Sequence, residues 1–142
     1  METELLHRLQ SRRAEIRARW NELLHTEAAS SPLAHPDTLV HLLDWSLDEF
    51  FAAIAGPASR RQAAPKSFEE VRALCPCGRN PLLAMLQAGE QAVTEGLILC
   101  QAESPEGSST SRAQELAEVQ AAVRTVAAGE VESFCEIGRA DV

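Results

Sequence analysis

Asn80-Pro81-Leu82-Leu83-Ala84-Met85-Leu86-Gln87-Ala88-Gly89-Glu90-Gln91-Ala92-Val93-Thr94-Glu95-Gly96-Leu97-Ile98-Leu99-Cys100-Gln101-Ala102 is the stretch on which the fold turns. It opens with an amide side chain suited to accept the orphan N–H groups of a first helical turn. A proline follows at the first helical position, where its missing N–H costs nothing. From there the pattern is helical through about Ala102. Leu83, Leu86, Val93, Leu97 and Ile98 are spread around more than one face, with small Ala84, Ala88, Gly89 and Ala92 between them. A helix apolar on several faces belongs in the middle of a bundle.

Working outward, Leu5, Leu9, Ile16, Trp20 and Leu23 recur at helical spacing and predict one long amphipathic helix ahead of the turn over Ala28 to Pro36. A second helix is expected from about Asp37, lined by Leu39, Leu43, Leu47, Phe50 and Ile54 and ended by Gly56-Pro57. Residues 57–66 read as an exposed connection. Ser67 followed by Glu70 is a capping-box pattern for a short helix through about Leu74, which Cys75-Pro76 stops. Beyond the central helix, Ser104 to Ser111 is a serine-rich turn, and a last helix from about Arg112 uses Leu116, Val119, Val123, Val126 and Phe134. No strand and no internal repeat is legible. The expectation is an all-α fold, a single helical bundle of four long helices and one short one over residues 1–142.

The chain has 142 residues and a net charge of −8, which fits one domain and disfavours nucleic acid or an anionic membrane as partner. No stretch approaches the roughly 20 apolar residues of a membrane span, and no signal peptide is expected. The expected location is therefore cytoplasmic. There thiols stay reduced, so the four cysteines are read as packing, metal-binding or redox groups before disulfides.

Cys75-Pro76-Cys77-Gly78 places two thiols one residue apart just ahead of the central helix, whose N-terminus favours thiolate. Cys100 lies roughly 30 Å further along that helix, at about 1.5 Å rise per residue, and is expected to be a buried small apolar residue. If the last two helices form an antiparallel hairpin, Cys135 returns to the pair. Cys75, Cys77 and Cys135, with His7 or His25 as an additional ligand, could hold zinc or copper(I), although structural zinc pairs ordinarily stand further apart in sequence. The same thiols could form a switchable disulfide, one attacking and another resolving. In the third alternative they merely pack.

Other features have plain readings. His35-Pro36-Asp37 copies the tripeptide of J-domain cochaperones, but the lysine-rich helix and tyrosine of such domains are missing, so it reads as a helix start. His41, Asp44, Asp48 and Glu49 read as a solvated helix face rather than a metal site. The segment from His7 to Arg19 carries five arginines and one glutamate, able to dock an acidic partner or to pair with Asp48 and Glu49 across the first helical hairpin. Glu90 and Glu95 on the apolar helix must be paired, protonated or turned outward. There is no Ser-His-Asp arrangement, phosphate-cradling glycine loop or His-Glu-x-x-His motif, so the chain is not read as an enzyme.

The succession of Arg19-Trp20, then Ser31-Pro32-Leu33-Ala34-His35-Pro36 before a helix, then Val71-Arg72-Ala73-Leu74 and a long apolar helix resembles the N-terminal sensory domains of RsbT co-antagonist proteins of the RsbRD type. The resemblance implies a globin-like helical bundle without haem, often dimeric, that passes a signal to an output domain or partner. The Cys75-Pro76-Cys77-Gly78 turn and the lack of an output domain depart from that pattern, so signalling would go through a regulatory protein partner. Function is thus expected to be sensory or regulatory, with thiol-based redox or metal sensing. The alternatives are a zinc or copper carrier and a ligand-binding bundle with inert cysteines.

Overall fold

The computed structural model describes residues 3–26, 39–57, 64–75, 80–104 and 107–140, the last four of these by backbone alone. The described residues form six α-helices and contain no strand: α1 Thr3–Ser11, α2 Arg13–Thr26, α3 Leu43–Ala55 behind a 3-10 turn over Val40–Leu42, α4 Phe68–Ala73, α5 Pro81–Ala102 and α6 Ser109–Ala140. Helices α2 and α6 flank α5. Helix α3 packs on α6 and α2, α1 lies on α5, and α4 sits against α6 and α5.

The expected first helix is two. Ser11 turns its hydroxyl back to the Arg8 carbonyl oxygen at 2.7 Å, and the Arg12 amide bonds the Leu9 carbonyl three residues back at 3.1 Å. The i−4 ladder is interrupted there and resumes at Ile16, whose amide reaches the Arg12 carbonyl. The last helix also begins earlier than expected, at Ser109. Ser108 caps it by accepting the Ser111 amide at 3.1 Å, which supplies the start that Arg112 was expected to mark. With 22 and 32 residues, α5 and α6 are the long helices among those described, and the next, α2, has 14. Asp37 and the His35-Pro36-Asp37 tripeptide lie outside the described residues.

Other ends fall where the sequence puts them. Asn80 accepts the Leu82 amide at 3.0 Å ahead of Pro81. The Gly56 amide closes α3 on the Ala52 carbonyl. Ser67 accepts the Glu70 amide at 3.4 Å, while the Glu70 carboxylate reaches past Ser67 to the Lys66 amide at 2.7 Å, a capping box shifted by one residue.

The core centres on the crossing of α2 and α5. Trp20 is fully buried, stacks on Phe50 with centroids 5.5 Å apart, and donates its indole N–H to the Met85 carbonyl oxygen at 2.8 Å. Only glycine permits this approach: a Cβ on Gly89 would stand 2.5 Å from the indole, and one on Gly96 would stand 2.8 Å from Ile16. Pairing Ile16 with Gly96 and Trp20 with Gly89 makes α2 antiparallel to α5. On α6 the buried row is Val119, Val123, Ala127 and Val131, one residue per turn. Phe134, expected in that row, and Ile98, expected inside α5, are exposed instead.

Candidate thiol site

Three side-chain ties set α6 antiparallel to α5. At one end the Gln101 amide donates to the Arg112 carbonyl and the Glu115 carboxylate, both at 3.1 Å. Midway, Arg124 pairs with Glu90 at 2.8 Å. At the other end Asn80, itself buried, donates its side-chain amide to the Val131 carbonyl at 3.2 Å. Cys135 lies about one turn beyond Val131, roughly 6 Å along the helix. The expected hairpin is present, and it carries α6 back to the start of α5.

Cys75 belongs to the end of α4 rather than to the N-terminus of α5. Its amide closes a tight turn on the Arg72 carbonyl at 3.1 Å, and the residue is 2 % exposed within the core. Cys135 is half-buried and packs against the same core. Both are thiols rather than disulfide partners. Cys77 lies outside the described residues, and the favourable helix N-terminus argued for the pair does not apply to Cys75. Among the described residues no group of three or more His, Cys, Asp or Glu side chains is placed to hold a metal ion.

The two histidines part company. His25 is exposed at the end of α2, which the antiparallel crossing carries towards the Pro81 end of α5; its Nδ1 lies 2.8 Å from the Asn21 carbonyl. His7 is exposed on α1 beside Arg8, and Arg8 is bonded to the Cys100 carbonyl at 2.6 Å and the Ser104 hydroxyl at 2.7 Å. His7 is thus at the opposite end of α5. Cys100 is fully buried there as expected, and burial pushes its thiol pKa up against the opposing pull of nearby Arg12.

The basic stripe is spent inside the molecule. Arg13 meets Asp48 at 2.6 Å and Asp44 at 3.6 Å, and Arg17 meets Asp44 at 3.1 Å. Arg8 and Arg12 both reach Glu103, and Arg19 holds Glu95 at 2.7 Å. Asp44 thus joins Asp48 as the acidic side of the first helical pair, in the place expected of Glu49. The stripe also ties α1 and α2 to α5, which charge counting along the sequence did not show.

The carboxylates on α5 diverge. Glu95 is held below the usual carboxylate range, chiefly by its hydrogen bond from Arg19. Glu90, at the α5–α6 contact, is pushed up by burial even though Arg124 opposes the shift. Arg124 also donates to the Lys66 carbonyl oxygen at 2.9 Å, ahead of α4. Arg72 of α4 donates to the Gln87 side-chain oxygen at 2.5 Å. The Glu90–Arg124–Lys66 connection was not legible in the sequence, because its three members are 24 to 58 positions apart.

At the Cys100 end of the bundle lies an open cleft of about 770 Å³, lined by Glu4, Arg8, Cys100, Ser104, Arg112 and Glu115 among others. Arg8 caps the Cys100 carbonyl in the last turn of α5 there, and Arg112 donates to the Ser104 carbonyl just beyond it. No helix among the described residues is long and apolar enough to cross a membrane. The chain matches no family model, no curated protein and no solved structure.

Proposed function

We propose that this chain is a helical sensory or regulatory domain of the cytoplasm, not an enzyme, that responds to oxidant or metal through Cys75, Cys77 and Cys135 and signals to a protein partner or a second copy of itself. The observation that carries the reading is the Asn80–Val131 hydrogen bond, which returns the Cys135-bearing end of α6 to the start of α5. The resemblance to RsbRD-type sensory domains supports it, and a globin-like arrangement without haem belongs to the same proposal. Trp45, Ile98, Leu99 and Phe134 leave large apolar side chains at the surface for a partner to cover.

In the redox form, one thiolate attacks hydrogen peroxide and becomes a sulfenic acid with release of hydroxide, which becomes water on taking up the proton that the thiol had lost. A second thiol displaces another water to give the disulfide, so two thiols and one peroxide yield one disulfide and two waters. In the metal form, deprotonated thiols and His25 would ligate zinc or copper(I). A ligand-binding bundle with inert cysteines is the second reading, favoured by the open cleft at the other end.

Thiol counting before and after mild peroxide, with metal analysis of the purified chain, separates these readings. The expected result is loss of two thiols, reversed by a dithiol reductant, or one equivalent of bound metal. Cys77→Ala should abolish either signal and Cys100→Ala neither. An unchanged thiol count together with no bound metal leaves the ligand-binding reading standing.

A further inference from the structure

Cys75 is 2 % exposed. A peroxide or a metal ion must touch the sulfur atom, so reaction there requires part of the molecule to move aside. The elements around it differ sharply in what holds them. Helix α5 runs 22 residues and is fastened to α2 by interlocked carbon surfaces at Gly89 and Gly96. Helix α4 has six residues, too few to be stable alone. Its apolar hold is Phe68 and Val71, with Leu74 partly buried.

Among the described residues, side-chain hydrogen bonds also tie it to its neighbours. The Arg124 guanidinium donates to the Lys66 carbonyl at 2.9 Å, immediately before the Ser67 cap. The same guanidinium is held by Glu90 at 2.8 Å. On the other side of α4, Arg72 reaches Gln87. Arg124 therefore joins three elements: α5 through Glu90, α6 through its own backbone, and the start of α4 through Lys66.

We propose that residues 64–75 form a hinged cover that carries the Cys75 thiol against the core, and that Arg124, braced by Glu90, is the latch that keeps it shut. This inference rests on the reading of Cys75 as a sensing thiol and adds how that site is controlled. Opening swings residues 64–75 away from α5 and α6 while the α2–α5 crossing stays closed. It exposes the sulfur without unfolding the bundle. A partner or ligand that competes for the Lys66 carbonyl or for Arg124 would thereby set the reactivity of a thiol it never touches.

The test is the rate at which an aromatic disulfide reagent labels Cys75 in a chain whose other cysteines are replaced (Cys77→Ser, Cys100→Ala, Cys135→Ser). Arg124→Gln is expected to raise that rate about tenfold, and Arg19→Gln, which breaks an ion pair away from α4, to leave it within twofold. Equal rates for Arg124→Gln and the parent overturn the latch. So does a rate that tracks global stability across all the variants, since labelling would then proceed through complete unfolding.

Amide hydrogen exchange on the unsubstituted chain gives a second, independent arm. Residues 70–75 should exchange faster than residues 86–100, and equal protection overturns the cover. Both readouts report access to Cys75 whether or not peroxide or metal ever reacts there. A chain inert to both, yet labelled faster in Arg124→Gln, retains the cover and loses the sensing role.

Discussion

The α2–α5 crossing and the α4 corner use opposite means to hold helices together. At the crossing, Trp20 and Ile16 press onto helix backbone where Gly89 and Gly96 carry no side chain, and each Cβ left out makes room for a ring or a branched chain. At the corner, a six-residue helix is fastened by a cap, a guanidinium and two buried apolar side chains. The crossing is fixed by shape, which tolerates no intermediate arrangement. The corner is fixed by two buried apolar side chains together with hydrogen bonds that water can substitute. Rigidity and access are thus assigned to different parts of one small core.

The most severe way to break the contrast is to put a methyl group into the crossing. In an unobstructed helix interior Gly→Ala gains up to about 1 kcal/mol. At Gly89 the added Cβ meets a rigid indole already stacked on Phe50, so Gly89→Ala is expected to lose about 3 kcal/mol in denaturant unfolding. Gly96→Ala meets the more yielding Ile16 and should lose about 1 kcal/mol. Gly129→Ala on α6, where nothing stands within 4 Å of the new carbon, should gain about 0.5–1 kcal/mol. Equal signs at all three positions would remove shape as the explanation.

A milder probe acts on the corner. Ser67→Ala removes the cap of α4, worth about 1 kcal/mol. If α4 opens on its own, the loss appears as faster amide exchange in residues 70–75, with the global unfolding midpoint barely moved. A midpoint shift of the full amount would make α4 part of the same cooperative unit as the crossing.

The smallest effect distinguishes the regions by pH. Glu95 braces the crossing through Arg19, and its depressed pKa means the folded state binds fewer protons than the unfolded chain. Its contribution is therefore present above the ordinary carboxylate value and is lost as pH falls through the lowered one. Glu90 braces the latch with a raised pKa. The folded state there binds more protons, so stability declines as pH rises from the ordinary value to the raised one. Carboxyl resonances followed by NMR should titrate on opposite sides of a model glutamate, and coincident titrations would erase the difference in burial.

What the sequence disclosed follows from the range over which each cause acts. Asn80-Pro81, Ser67 and Gly56 mark helix ends through groups within four residues, and all three ends are where local chemistry puts them. The break at Arg12 is local too. It has no glycine or proline to announce it, and a serine hydroxyl reaching its own helix looks in sequence like any exposed serine. Ala127 was not read as core, because an alanine gives no hydrophobic signal until a row of neighbours places it. Phe134 misled for the converse reason, since its size implies burial, yet its side chain is exposed while the neighbouring Cys135 packs on the core.

For the thiols, helix length and hairpin geometry were enough to separate Cys100 from the start of α5. The end of α4 beside Cys75 is local and was legible, whereas the Arg124 contact ahead of α4 was not, because it joins residues 58 positions apart. Gly89 was visible as a small residue in a long apolar helix. Its purpose becomes apparent only with Trp20 beside it.

That pairing also makes the molecule its own optical reporter. The chain has two tryptophans and no tyrosine, so absorption at the red edge of the near ultraviolet belongs to two indoles alone. Trp20 lies sealed and flat against a phenylalanine, while Trp45 on α3 is 48 % exposed. A dissolved quencher such as iodide therefore darkens Trp45 and spares Trp20, and the residual emission follows the centre of the bundle without any added label.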